Sequence, residues 1–229
     1  MQPEMSAQSV PPAAPASTRR AAFVSLGTVG LAAAAGFAAT ACATGAQGSA
    51  PAGRPTAAPG AADHVVDLRI DERHGAPPGS TPEFFFEPTG LAIKPGQTVR
   101  FRALTPHHTV TAYHSQHVKT LRVPEGVPPF SSPVLPVGDA FDYTFTLPGV
   151  YDLWCAPHEF FGMVMRLVVG EATGPGARPS TDFSPTGTTL QAGAVLNDPA
   201  LAPDRILQRG KVSWTEIDPA SKRNPLEAG

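Results

Sequence analysis

The sequence predicts an all-β fold, a Greek-key β-sandwich carrying an N-terminal export signal and tether and a C-terminal extension. Three observations predict it. Proline and glycine are abundant, 27 and 22 of 229 residues, while charged residues make up 16%. That balance suits short strands and turns better than a helical bundle. Several segments alternate apolar and polar side chains with period two. Turn sequences such as Lys94-Pro95-Gly96-Gln97 and Leu147-Pro148-Gly149 separate them.

The first forty-two residues are not part of that domain. Residues 1–18 are rich in Ala, Pro, Ser and Gln, and Arg19-Arg20 precedes a charge-free run from Ala21 to Ala41. Positive charge, an apolar stretch and small residues at its end make an export signal. The arginine pair resembles a twin-arginine signal, with Phe23 one place later than usual. Cys42 after A-A-T-A resembles a lipobox, with Ala39 where Leu is commoner. Three outcomes stay open: lipidation at Cys42, cleavage after Ala39-Thr40-Ala41, or an uncleaved anchor helix, for which about 20 residues suffice. Each places the remainder outside the cytoplasm, periplasmic or on the outer side of the membrane. Residues 43–62 then read as a flexible linker, which favours anchoring at the membrane over free release.

Residues 63–170 carry the sandwich. Val66, Leu68 and Ile70 alternate with Asp67, Arg69 and Asp71; Leu91 and Ile93 form a short strand; Val99 and Phe101 alternate with Arg100 and Arg102. In H-H-T-V-T-A-Y, alternation sets His108, Val110 and Ala112 on one face and His107, Thr109 and Thr111 on the other. Residues 114–140 read as a turn-rich loop with no clear core strand. Phe141, Tyr143 and Phe145 alternate again, then Tyr151, Leu153 and Cys155, and Met165, Leu167 and Val169. These 108 residues are enough for a core. Residues 171–197 read as linker. Asp198, Pro199 and Gly210 bracket a short helix as N-cap, first residue and stop, split or weakened by Pro203. K-V-S-W-T adds an edge strand. This extension, 171–229, is expected to fold back on the sandwich or meet a partner.

A net charge of −2 without a Lys/Arg stripe gives no case for nucleic-acid binding. Two cysteines exclude a disulfide framework and an iron–sulfur cluster. The chemistry concentrates in C-A-P-H-E-F-F-G-M, where Cys155, His158 and Met163 offer a thiolate, an imidazole and a thioether. Thioether is not a usual donor for structural zinc. Two nitrogens, one thiolate and a weak Met form the ligand set of a blue-copper site. The missing imidazole must come from elsewhere, and alternation selects His108 over His107.

Together, H-T-V and G-V-Y-D-L-W-C-A-P-H-E-F-F-G-M resemble the cupredoxins, most closely plastocyanins, pseudoazurins and halocyanins. The Cys-x-x-His-x-x-x-x-Met spacing is that of plastocyanins and pseudoazurins. The resemblance implies one copper ion held by His108, Cys155, His158 and Met163. It also implies single-electron transfer between redox proteins by weak, transient docking. Thr109 stands where the family usually has an Asn that ties the two ligand loops together; Thr can make one such bond, with shorter reach. Pro157 removes a backbone donor near the site, and Gly162 permits close approach of the loop. His158 is expected at the surface, with Phe160 and Phe161 either around it as a docking patch or in the core. The resemblance implies a second docking surface at Trp154, with Asp152 near it. An enzyme of the multicopper oxidase or nitrite reductase type needs further clustered histidines, which the chain lacks. The alternative is copper storage or delivery, for which His114 and His117 in H-S-Q-H are a candidate second metal site.

Overall fold

The computed structural model describes residues 61–71 and 80–222. The expected signal with Cys42, and the linker up to residue 60, lie outside the described residues. In chain order the strands are β1 (His64–Asp71), β2 (Glu83–Glu87), β3 (Gly90–Ile93), β4 (Gln97–Ala103), β5 (Thr111–Ala112), β6 (Ala140–Phe145), β7 (Gly149–Trp154), β8 (Val164–Val169) and β9 (Lys211–Val212). Two helices, α1 (Leu190–Leu196) and α2 (Pro203–Arg209), precede β9.

One sheet has the order β2-β1-β4-β6 and the other β5-β7-β8-β3-β9. The chain passes from one sheet to the other at each step from β2 to β7, which produces the Greek-key sandwich. β1 with β4 and β3 with β8 are parallel; the remaining pairs are antiparallel. Period two now has a physical meaning. Val66, Leu68, Val99, Phe101, Phe145, Leu153 and Leu167 point between the sheets and are fully buried. Arg100 and Arg102 face outward and pair with Asp142 and Asp67. Solvent screens such surface pairs, so they contribute little to stability.

Two expectations are corrected here. Alternation over 107–113 predicts two distinct faces, yet every residue from His108 to Tyr113 is buried and only Thr111–Ala112 is strand. The loop after it is the reason. It returns along this segment, with Ser132 N–H donating to Val110 O (2.9 Å) and Ala112 N–H to Phe130 O (3.0 Å). That loop also supplies Val123, Val127, Phe130 and Leu135 to the core.

The second correction concerns residues 171–197, which are not a linker. α1 forms there with Thr189 as N-cap, its hydroxyl accepting from Ala192 N–H. The proposed break at Pro203 is present. Asp198 caps a 3-10 turn at Pro199–Leu201, Pro203 begins α2, and Gly210 ends it at φ 79°. β9 then pairs antiparallel with β3. Together these elements cover the outer face of β7 and β8, where Val150, Val164 and Val168 meet Ala192, Val195, Leu196, Leu201, Ile206 and Val212. Fully burying a Leu or Ile side chain is worth about 1.5–3 kcal/mol, so the extension is a stabilising layer.

Candidate metal centre

Three loops converge at one end of the sandwich. His108 is held by a bridge to Leu135, whose N–H donates to His108 O at 2.8 Å. Its Nε2 is hydrogen-bonded to Thr105 Oγ1 (2.8 Å). That contact turns Nδ1 toward Cys155, whose Sγ lies 3.7 Å away. The same sulfur is 3.4 Å from His158 Nδ1. The donor atoms of His108, Cys155 and His158 all lie within 4.8 Å of one another, and they form the only such group of three or more among the described residues. His107 is exposed, with φ 67°, and stands outside the group.

The loop 155–163 folds on itself. His158 N–H donates to Cys155 O (3.0 Å), Met163 N–H to His158 O (3.2 Å), and Cys155 N–H to Met163 O (3.1 Å). Gly162 closes its 3-10 turn, Glu159–Phe161, at φ 84°, a left-handed conformation that glycine adopts freely. Met163 is fully buried in the same core cluster as Cys155. Pro157 is exposed beside the site.

Thr109 joins the two segments. Its N–H points at Cys155 Sγ (3.3 Å), and its Oγ1 accepts from Ala156 N–H at 2.7 Å. The hydroxyl continues to Thr111 Oγ1 (3.3 Å) and from there to Ser131 Oγ (2.8 Å). Its reach is sufficient because β5 and β7 are paired directly at Thr111 and Trp154.

The electrostatics suit a cation. Burial, then the neighbouring charges of His158 and His107, pull the His108 imidazole down to about 4. Burial and His107 also lower His158. Burial pushes the Cys155 thiol up to about 11, against hydrogen bonds that lower it. The imidazoles are therefore neutral at pH 7 and their lone pairs are available. A thiol beside two such nitrogens gives up its proton when a metal takes its place. One soft sulfur with two imidazole nitrogens fits copper, and it is a poor set for magnesium or calcium.

The aromatic residues separate by position. His158 is half-buried against Phe84, with ring centroids 4.6 Å apart. Phe161 also stacks on Phe84, with centroids 4.6 Å apart, whereas Phe160 is 48% exposed. Of the two readings of these residues, Phe160 takes the surface one and Phe161 packs. Trp154 is half-buried, its indole N–H donating to Ala112 O (3.3 Å). Asp152, read from sequence as its surface companion, is fully buried between Arg122 and Arg166, at 2.8 Å from each. The extension covers it: the same arginines donate to Arg178 O and Leu201 O. The His114 and His117 rings are 6.5 Å apart. Each already has one nitrogen engaged, with Gln116 N–H and Phe130 O respectively. Sequence reading missed Glu159, a buried carboxylate next to His158. Its only signal is its place inside the ligand loop.

A family model described as copper binding proteins of the plastocyanin/azurin family matches residues 78–170. A pseudoazurin of Paracoccus pantotrophus is 34% identical over 101 residues, 44% of this chain and 63% of that protein. A chloroplastic plastocyanin of Hordeum vulgare is 32% identical over 90 residues, 37% of this chain and 54% of that protein. The chain spans between about half and two thirds of the length of the curated relatives it matches. Among solved structures, the pseudoazurin of Methylobacterium extorquens AM1 aligns at 23% identity with a TM-score of 0.39, covering 64% of this chain and 96% of that one.

Proposed function

We propose that residues 78–170, which match the plastocyanin/azurin family of copper binding proteins, form a cupredoxin domain holding one copper ion, and that this protein carries single electrons between redox partners. One observation carries the reading: the donor atoms of His108, Cys155 and His158 lie within 4.8 Å of one another and are held by hydrogen bonds to Thr105 and Thr109. A site held in this way changes little when the ion changes charge. Bound there, copper supplies a Cu(II)/Cu(I) couple.

This chain's residues do the rest. Cys155, His108 and His158 would hold the ion, with Met163 as the weak fourth donor. Thr105 and Thr109 keep the ring of His108 and the thiolate in register. Burial of His108 and Cys155 keeps water off the sulfur. Of these three donors His158 alone is partly exposed, and Phe160 near it in the loop is exposed. A partner would dock there by a small, short-lived interface. Apart from the buried Glu159, the surrounding loops 104–108, 133–138 and 156–161 contain no charged residue.

We further propose that the chain is exported and works outside the cytoplasm, tethered through residues 1–62. No helix among the described residues is long and apolar enough to cross a membrane. Mass spectrometry of the mature N-terminus distinguishes a lipidated Cys42 from cleavage after Ala41 and from an intact leader.

The test of the carrier is optical. Cu(II) added to the metal-free protein should produce an intense blue charge-transfer band. A mild reductant should bleach it and an oxidant restore it, and Cys155→Ser should lack it. A colourless complex, or copper that cannot be cycled, refutes the carrier. Storage or delivery would then be the better reading.

A further inference from the structure

One side of the loop 155–163 faces the donor cluster. The ligand loop has a second side, and a buried charge is fixed there. We propose that Glu159 is the positioning residue of the ligand loop, holding His158 in place through an ionic and hydrogen-bonded clamp to Lys119, Tyr113 and the C-terminal extension.

Glu159 directly follows His158, yet its side chain is only 7% exposed. Oε1 accepts from Tyr113 OH at 2.7 Å, and Oε2 accepts from Lys119 Nζ at 2.7 Å. Neither partner is free to wander. Tyr113 is fully buried, with its ring 5.8 Å from that of Trp154. Lys119 is 9% exposed on its side chain, and its ammonium sits 4.9 Å over the Trp154 ring. The carboxylate thus ties the ligand loop to the segment that follows β5.

The backbone of the same residue is tied to the extension. Glu159 O accepts from Thr189 Oγ1 (2.9 Å), at the N-cap of α1, and from Gly162 N–H (2.9 Å). At Gly162 the loop and α1 are in close contact: a Cβ there would lie 2.8 Å from Gln191 Cγ. A three-residue 3-10 turn held only by its own backbone would fray readily. Here one residue anchors it to two other parts of the fold.

Glu159 is not in the group of converging donors. Its action on the site passes through the backbone of His158, which separates it from the ligands proposed above. A buried pair of this kind is informative when broken, because the surviving charge is left without a partner.

The experiment compares Glu159→Ala, Glu159→Gln and Lys119→Met with the parent. Two quantities are measured: hydrogen exchange of the amides of residues 156–163 in the metal-free protein, and the rate of copper transfer to an excess chelator. Groups that support metal ligands change affinity by about 10–100-fold when removed. Glu159→Ala and Lys119→Met should release copper faster on that scale. They should also speed exchange in 156–163 while leaving β4 and β6 amides as they were. Glu159→Gln, which keeps an acceptor for Tyr113 but loses the charge, should fall between. Unchanged loop exchange in Lys119→Met overturns the proposal, as does acceleration by one common factor across all amides, which marks a merely structural pair. If Glu159→Ala does not fold, the other two variants decide. The inference rests on the copper reading for its second measurement only. A parent that binds no copper refutes that reading, while the exchange data still decide the clamp.

Discussion

Replacing Thr109 by Val tests whether its hydroxyl is what joins the two ligand segments. The substitution keeps the β-branched shape and the backbone N–H that points at Cys155 Sγ. It removes one oxygen, the acceptor for Ala156 N–H at 2.7 Å. Thr111 keeps its partner in Ser131 Oγ, so the loss is confined to one donor. A donor left unsatisfied costs about 1–3 kcal/mol when buried. Ala156 is itself exposed, so water can take part of the role and the lower end applies. A loss of about 1 kcal/mol lowers the melting temperature by roughly 2–4 °C in a protein of this size. Copper affinity should fall further, by about 10–100-fold, because the bond fixes the loop that carries Cys155 and His158. Thermal melts of the metal-free protein and competition against a chelator measure the two effects. Thr109→Asn, with a longer side chain that retains an acceptor, should recover most of the affinity. Parent-like affinity in Thr109→Val would refute the reasoning, because the join would then reside in the backbone alone.

Asp152→Asn leaves Arg122 and Arg166 buried without their shared counter-charge; breaking such a group costs about 3–5 kcal/mol, read as a lower urea midpoint, whereas a loss under 1 kcal/mol would mean that the carbonyls of 178 and 201 suffice. A chain ending at Gly170 uncovers Val150, Val164 and Val168 and strips those arginines of their carbonyl partners; it should be insoluble or aggregate when expressed. In the full-length protein, limited proteolysis should therefore spare residues 190–212. Docking through loops without exposed Asp, Glu, Lys or Arg should show electron-transfer rates that change little with added salt, measured with a charged redox partner; a steep salt dependence would place the contact elsewhere.

Much of this molecule is legible in the sequence because its signals are local. Alternation in β1, β4, β6 and β7 is set by one face of each strand pointing into the core, and the structure places those faces as read except at Ile70, which is only half-buried. The spacing of Cys155, His158 and Met163 is legible because all three sit on one short loop. His108 is reached by an argument that is only partly sound. Alternation separates it from His107, but the structure separates them by a positive φ at His107 and by the Leu135 bridge, not by two faces of a strand. What stayed hidden depends on contacts far apart in the chain. Nothing local marks Arg122, Asp152 and Arg166 as one buried group, since 30 residues divide the first two.

The extension shows where a signal was available and a composition bias obscured it. Residues 171–189 are rich in Gly, Pro, Ser and Thr, which suggests linker. Yet β8 reads V-M-R-L-V-V, apolar at both parities. Met165, Leu167 and Val169 fill the space between the sheets, so Val164 and Val168 must be covered from outside. A strand apolar on both faces implies a second layer. The apolar residues available to form it are those of L-Q-A-G-A-V-L and R-I-L, which lie after the supposed linker. The same layer then reaches the ligand loop at Glu159 and Gly162. The physical domain thus continues beyond residue 170, and the rigidity of the metal end depends on residues that motif spacing alone would have left out.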